Sequence, residues 1–404
     1  MALNLSTADA ALKEDYQPAI REQLNNTVML LEQIETNSKD VVGRRAVLSL
    51  HVARSSGVGA RREGSNLPAA GNQAYAEERV SLRYNYGRIN LTGPVIRAMK
   101  NDEGAFVRAL DSETKGMVSD LRRDVNRQLF GTSDGVIVQV GAGSTTTVVN
   151  FATTATRAQK RQIEIGMLVD IGTSSPFTSV GAARAVTAIT GTTSFTVSPP
   201  FAAAPASGDS VVRSGNGGSG ASQAELTGLQ TIVAASGALF NVDPATYPNW
   251  VSYVDSSGSA RSVSETLLAS LMHNTTIAGG EDVDLFITSD GVHRAFAAQL
   301  TAEKRFQNTL DLKGGYKALS VSAGGTEVGI TWDRDAPNNL IFGLDTEHLF
   351  QHQMSDWEWM DEDGAVLSRV TGQDAYEAVL FKYHELTTDK RNAHCLANNV
   401  IEAG

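Results

Sequence analysis

Residues 44–88 read RRAVLSLHVARSSGVGARREGSNLPAAGNQAYAEERVSLRYNYGR, and alternating runs sit at the two ends of this stretch. Leu48, Leu50 and Val52 alternate with Ser49 and His51, and Val80, Leu82, Tyr84 and Tyr86 alternate with Ser81, Arg83 and Asn85. Period-two alternation predicts two strands, each with one buried face. Between them, residues 55–76 are rich in Gly, Ser and Ala around the charged cluster Arg61-Arg62-Glu63. The stretch is therefore a hairpin with a long, loosely structured tip. A lone two-stranded ribbon is marginal in water, and a structureless loop of about twenty residues inside a domain is usually functional. The ribbon is expected to find its support outside its own fold. The alternative is an ordinary edge hairpin of a larger sheet.

Charge sharpens this expectation. Residues 41–100 hold nine Arg and one Lys against three Glu, a local +7 on a chain of 404 residues whose net charge is −11. The overall acidity argues against a dedicated nucleic-acid binder. A basic segment on an acidic chain points to a partner, which can be another copy of the same chain. The single Cys excludes a disulfide framework and a Cys-rich metal site, and fits a reducing compartment. No apolar run approaches the ~18 residues of a membrane span. Residues 1–13 lack the basic and apolar regions of a secretory signal. The expectation is a soluble protein of two to three domains.

Outward from the hairpin, residues 1–40 read as an arm. Ile20, Leu24, Val28 and Leu31 fall near helical spacing within residues 16–34. Residues 101–130 give the strongest helix. Asn101 or Asp102 can cap it, Gly131 stops it, and Phe106, Leu110, Met117, Leu121, Val125 and Leu129 share one face. At ~1.5 Å per residue this is a rod of roughly 45 Å. Residues 136–215 are dominated by Thr, Val, Ala and Gly. Val136, Val138 and Val140 alternate, as do Ile163 with Ile165 and Phe195 with Val197, and turns fall at Pro199-Pro200 and Gly208-Asp209. This predicts a small all-β insertion followed by a linker at residues 215–220. Residues 224–239 and 263–273 read as helices, 284–288 as a buried strand entering a helix at 292–300, and 327–332, 339–343 and 376–383 as strands.

Few residue patterns suggest chemistry. Gly215, Gly217 and Gly220 match a dinucleotide fingerprint in spacing, but the strand before them belongs to the Thr-rich insertion and the acid some twenty residues on, Asp243, lies in a loop. This leaves a nucleotide-dependent enzyme as a remote alternative. His348 and His352 could share a metal only on a helix, and Trp357 and Trp359 suggest extended chain nearby. The acidic run 361–364 reads as a solvated turn rather than a calcium loop. Cys395 beside His394 reads as an idle buried thiol, because neighbours on a strand face opposite ways. No catalytic residue, cofactor site or metal site is expected.

The order of parts is arm, basic hairpin, rod helix, α/β region and returning strands. It resembles the major capsid protein of tailed bacteriophages, the Hong Kong phage fold shared with encapsulins. Residues 318–350, with Val328-Gly-Ile-Thr-Trp-Asp333, Pro337 and Leu340-Ile-Phe-Gly-Leu-Asp345, look like that family's return from axial to peripheral domain. The resemblance implies an α+β fold. It makes 1–40 an N-terminal arm, 41–98 an E-loop hairpin, 99–135 the spine helix of the peripheral domain and 136–215 an inserted β domain. Residues 216–350 become the axial domain and 351–404 the returning peripheral strands.

The resemblance further implies a structural protein that self-assembles into pentamers and hexamers. These form an icosahedral shell around double-stranded DNA, held without sequence specificity. Arg44, Arg54, Arg61, Arg62, Arg79, Arg83 and Arg88 would then face acidic surface on a neighbouring subunit. Phe106 to Leu129 would form the spine's core face. A separate scaffolding protein, a portal and a decoration protein are the implied partners, the virion capsid the location and the host bacterial cytoplasm the place of assembly. Residues 41–95 contain no Lys, so the hairpin cannot supply the amine of the isopeptide cross-link that seals some family members. Alternatives are a tail or decoration protein and an encapsulin-like compartment.

Overall fold

The structure, a computed structural model, describes residues 28–43, 45–92, 103–174, 176–218, 223–302, 309–311, 313, 317–323, 326–361, 366 and 368–403. Its longest element is the helix Glu103–Leu129. The capping candidates Asn101 and Asp102 and the side chains of Phe106 and Leu110 lie outside the described part. Along the C-terminal half Met117 is half-buried, while Leu121, Val125 and Leu129 are buried, as is Phe130 just beyond. From the arm, residues 16–27 also lie outside, and Met29–Gln33 forms a short helix against the rod.

The rod packs on a six-stranded sheet whose hub is the strand Ala375–Thr388. On one side the hub pairs with Arg83–Thr92 in an antiparallel ladder running from Thr92 opposite Ala375 to Arg83 opposite His384. On the other it pairs with Leu349–Gln353, which carries Glu35–Asn37 parallel on its outer edge. Gly87 sits where the rod crosses. A Cβ there would fall 2.6 Å from Leu121 Cδ1 and Met117 Sδ, so the absent side chain sets how closely helix and sheet approach.

The outgoing hairpin strand divides at Leu82, which the alternation alone does not show. Ala74–Ser81 pairs with Arg45–Ala53 in a three-stranded sheet, whereas Arg83–Thr92 joins the hub. The interruption inverts the side-chain phase. Val80 and Leu82 are buried as expected, but Tyr84 and Tyr86 are 54% and 53% exposed, and Gly87 and Ile89 turn inward in their place.

Residues 136–213 form a seven-stranded sheet with its own core of Val138, Val149, Ile171, Phe195 and Val211. The strand expected around Ile163 and Ile165 is absent. A capped helix, Arg157–Arg161, precedes this stretch; Ile163 is buried and Ile165 is exposed in a turn.

The last sheet orders Tyr253–Asp255, Cys395–Ala397, Ile341–Leu344, Leu285–Thr288, Thr326–Trp332, Lys317–Ala323 and Thr309–Asp311. The helices Glu265–Gly279 and Asp290–Ala302 pack beside it. Every residue of Leu285–Thr288 is buried, as its unbroken apolar run requires. Cys395–Ala397 belongs here, between strands from residues 253–255 and 341–344, so the C-terminal strands divide between two sheets instead of all returning to the hub sheet.

The helix read at residues 224–239 shrinks to Leu229–Ile232. Buried side chains bind backbone groups along this segment. Leu226 N donates to Gln128 Oε1 at 3.1 Å and Thr227 N to Glu385 Oε1 at 2.6 Å. Downstream, the buried Arg391 guanidinium donates to the carbonyls of Thr231, Ile232, Ser236, Gly237 and Trp250. Gly228 is held so closely against the rod's end that a Cβ would lie 2.2 Å from the carbonyl oxygen of Gly131. Backbone cannot yield as a flexible side chain can. Gly228→Ala is therefore expected to destabilise the fold by about 1–3 kcal/mol, read as a lower urea midpoint at unchanged slope.

Candidate assembly surface

The hairpin has two physically different halves. In its base, Ala46, Leu48 and Leu50 face inward opposite Val80, Glu78 and Ala76, and Val52 follows on the same face at a register shift. Leu50 and Ala76 belong to the same core as Leu239, Trp250 and Leu344, and Arg79 N donates to Phe240 O at 2.9 Å. The base is thus bedded on its own chain, a correction to the expectation that the whole ribbon needs an outside support. Its apolar alternation is sufficient to join the core. Beyond Ala53 the ladder ends, and residues 54–73 form no strand. Here Val58 and Leu67 are 87% and 85% exposed.

The arginines divide along the same line. Arg54, Arg61 and Arg62 are exposed on the tip without a carboxylate partner among the described residues. Arg79, on the outer face of the base, pairs with Glu77 at 2.9 Å. Arg83 and Arg88 correct the expectation that every hairpin arginine faces a neighbour. Arg83 Nε lies 3.1 Å from the buried carboxylate of Glu385 and its Nη1 donates to Gln223 O at 2.8 Å, while Arg88 pairs with Glu377. Both lie past the Leu82 break, where the strand is already part of the hub sheet. Arg44 lies outside the described residues.

The rod's end carries a buried polar network. Arg127 bridges Asp124 and Glu225, and Asn126 donates to both Asp333 and Asp335. Burial alone would raise the Asp124 carboxyl, but Arg127 and Arg213 outweigh it and hold it at about 2. Burial and the neighbouring Asp335 push Asp333 the other way, up to about 7. Burial likewise lifts Glu385 to about 7 against the Thr227 amide and Arg83. These groups brace three segments against one helix.

The chemical candidates do not assemble into a site. Cys395 is buried, and burial pushes its thiol up to about 12, the reverse of an activated thiolate. Burial pulls His394 down to about 3. His348 and His352 do not converge: His348 Nδ1 meets Asp389 at 2.8 Å, and His352 Nδ1 meets Thr387 Oγ1 at 2.5 Å. His348 does lie near Glu281 and Asp345, with ligand atoms within 4.8 Å of one another. The protein's own cation, Lys390, is seated on Glu281 at 2.5 Å. Gly215 follows an antiparallel strand, Ser210–Arg213, and residues 219–222 and 362–365 lie outside the described part.

Two features escaped the sequence reading. Tyr84 and Tyr86 stack edge-on against Tyr383, building an aromatic outer face on the hub sheet. Glu78 is wholly buried. Extending the Val80–Leu82 alternation two residues back places Glu78 on the inward face, a signal present in the sequence but masked by its neighbours Glu77 and Arg79.

The whole chain superposes on solved capsid structures. The Cyanophage A-1(L) capsid asymmetric unit matches with a TM-score of 0.61 at 12% identity, covering 98% of this chain and 99% of that one. The capsid of the empty GTA particle matches with a TM-score of 0.51 at 10% identity over 99% and 100% of the two chains. The native GTA particle gives 0.50 at 11% identity over the same shares. No family model and no curated protein matches the sequence. At such identities the likeness is one of fold, and this chain has the α+β fold of tailed-phage capsid proteins.

The tip and the rod's end should respond oppositely to mutation. Arg127→Met leaves the buried Glu225 carboxylate without its guanidinium and Asp124 with only Arg213 and Gln128, and is expected to cost about 3–5 kcal/mol of stability. Arg61→Ala on the exposed tip is expected to change stability by no more than about 0.5 kcal/mol. Urea denaturation of both variants checks the contrast.

Proposed function

We propose that this chain is a major capsid protein. Its copies form pentamers and hexamers that close into an icosahedral shell around double-stranded DNA, in a virion assembled in the cytoplasm of a bacterial host. It works by self-association and not by catalysis. One observation carries the reading: a tip of some twenty residues, 54–73, forms no strand and presents exposed Val58 and Leu67 beside exposed Arg54, Arg61 and Arg62. Apolar groups held in water beside unpaired cations are the composition of an interface, and a loop this long has no evident role in stabilising its own chain. The fold supports the same reading, because the solved chains that share it are parts of capsids.

Tip-to-neighbour contacts in the shell would be noncovalent, since residues 41–95 offer no lysine amine. The net charge of −11 suits a container from which DNA must leave, because a strongly basic lining would hold phosphates through counterion release. Scaffolding, portal and decoration proteins would be separate chains. Among the described residues no helix is long and apolar enough to cross a membrane.

Replacing residues 56–71 with a short Gly-Ser turn tests the reading. The expected product is a folded subunit with unchanged thermal midpoint that no longer forms closed shells in sedimentation and electron microscopy. Normal shells from this variant would remove the role assigned to the tip. If residues 136–213 dominate the contacts, as in a tail or decoration protein, loss of the tip would leave assembly intact. Protein cargo in place of DNA inside native particles would indicate an encapsulin-like compartment.

A further inference from the structure

Glu78 sits at the centre of the hairpin's inward face, opposite Leu48 and flanked by buried Ala76 and Val80. Both of its carboxyl oxygens are buried without a hydrogen-bond partner among the described residues. Beside it a half-open groove of about 400 Å³ runs between ribbon and body, lined by Leu48, Leu50 and Val52 on one side and Trp250, Asp389 and Lys390 on the other. Trp250 Nε1 is also buried without a partner. A permanent core would be expected to pair these polar atoms. A contact that must open can leave them as they are.

We propose that the ribbon's base is a proton-controlled clasp, closed on the body while Glu78 is neutral and released when Glu78 ionises, so that the ribbon comes free of the body. The closed state is held by the apolar contacts of Leu50, Val52 and Ala76 and by the Arg79 N–H to Phe240 carbonyl bond. Among the described residues no cation is placed against Glu78 to neutralise it when ionised. Lys390 is engaged by Glu281, Arg79 by Glu77 on the opposite face, and His51 by Gln73 at 2.7 Å. His352 faces Thr387 and Asp40, and Asp389, which His348 binds, adds negative charge next to Glu78. Burial first, and Asp389 second, raise the Glu78 carboxyl to about 9 from its ordinary 4.5.

The sign of the linkage follows. The closed state binds a proton more tightly than the open one. Closure is therefore strongest below the free value of 4.5 and weakens about tenfold per pH unit from there toward 9. The clasp depends only on packing within one chain, so it stands or falls whether or not the chain builds a shell.

Amide hydrogen exchange of the intact protein at pH 5.5 and 8.5, corrected for intrinsic rates, tests it. Protection of Arg45–Ala53 and Ala74–Ser81 is expected to fall by about 100-fold or more at the higher pH, while that of Leu285–Thr288 holds. Glu78→Gln keeps the shape without the charge and is expected to abolish the fall; Glu78→Leu, a second route to the same end, should also hold the ribbon closed at both pH values. Glu77→Gln, on the exposed face, should leave the wild-type response unchanged. Equal ribbon protection at the two pH values in the wild-type protein, or the same fall in Glu78→Gln, overturns the proposal.

Discussion

The last turns of the rod helix are the place where the fold is tied together. Val125, Leu129 and Phe130 are buried there, and the three residues between them reach in three directions. Asn126 accepts from Leu31 N and donates to Asp333 and Asp335, Arg127 grips Glu225, and Gln128 meets Asn85 and the amide of Leu226. One helix end thus positions the arm, the segment after the β insertion and the crossing strand of the hub sheet. Polar groups so deeply buried are tolerated only when every partner is in place, which makes the junction specific as well as stable.

That rigidity gives the hairpin its meaning. Its base continues the core, with Leu50 and Ala76 in the same cluster as Leu129 and Trp250. Its tip contributes nothing to that core and displays Val58 and Leu67 to water. A base joined to the core and an exposed end fit the proposed contact with a neighbouring copy. Elsewhere Cys395 and His394 are buried, and His348 and His352 meet Asp389 and Thr387.

Much of this was legible before the structure. Alternation at Leu48–Val52 marked the ribbon, four- and seven-residue spacing from Phe106 to Leu129 marked the rod, and the Thr- and Val-rich composition of 136–215 marked a β region. What was not legible depended on contacts distant in sequence. The break at Leu82 follows from which sheet each half of the strand joins, and it turned Tyr84 and Tyr86 outward. Periodicity in 224–239 could not reveal that Gln128, Glu385 and Arg391 would capture its backbone groups. Arg83 and Arg88 looked equivalent to Arg61 and Arg62 because charge carries no record of a partner some 300 residues away, such as Glu385 for Arg83.

The central claim is that copies of this chain close into a shell through their hairpin tips. Cryo-electron microscopy of the purified protein tests it most directly. The account predicts closed icosahedral particles in which residues 54–73 of each subunit lie on a neighbour. Small oligomers at every concentration, or shells in which each tip rests on its own subunit, would contradict it.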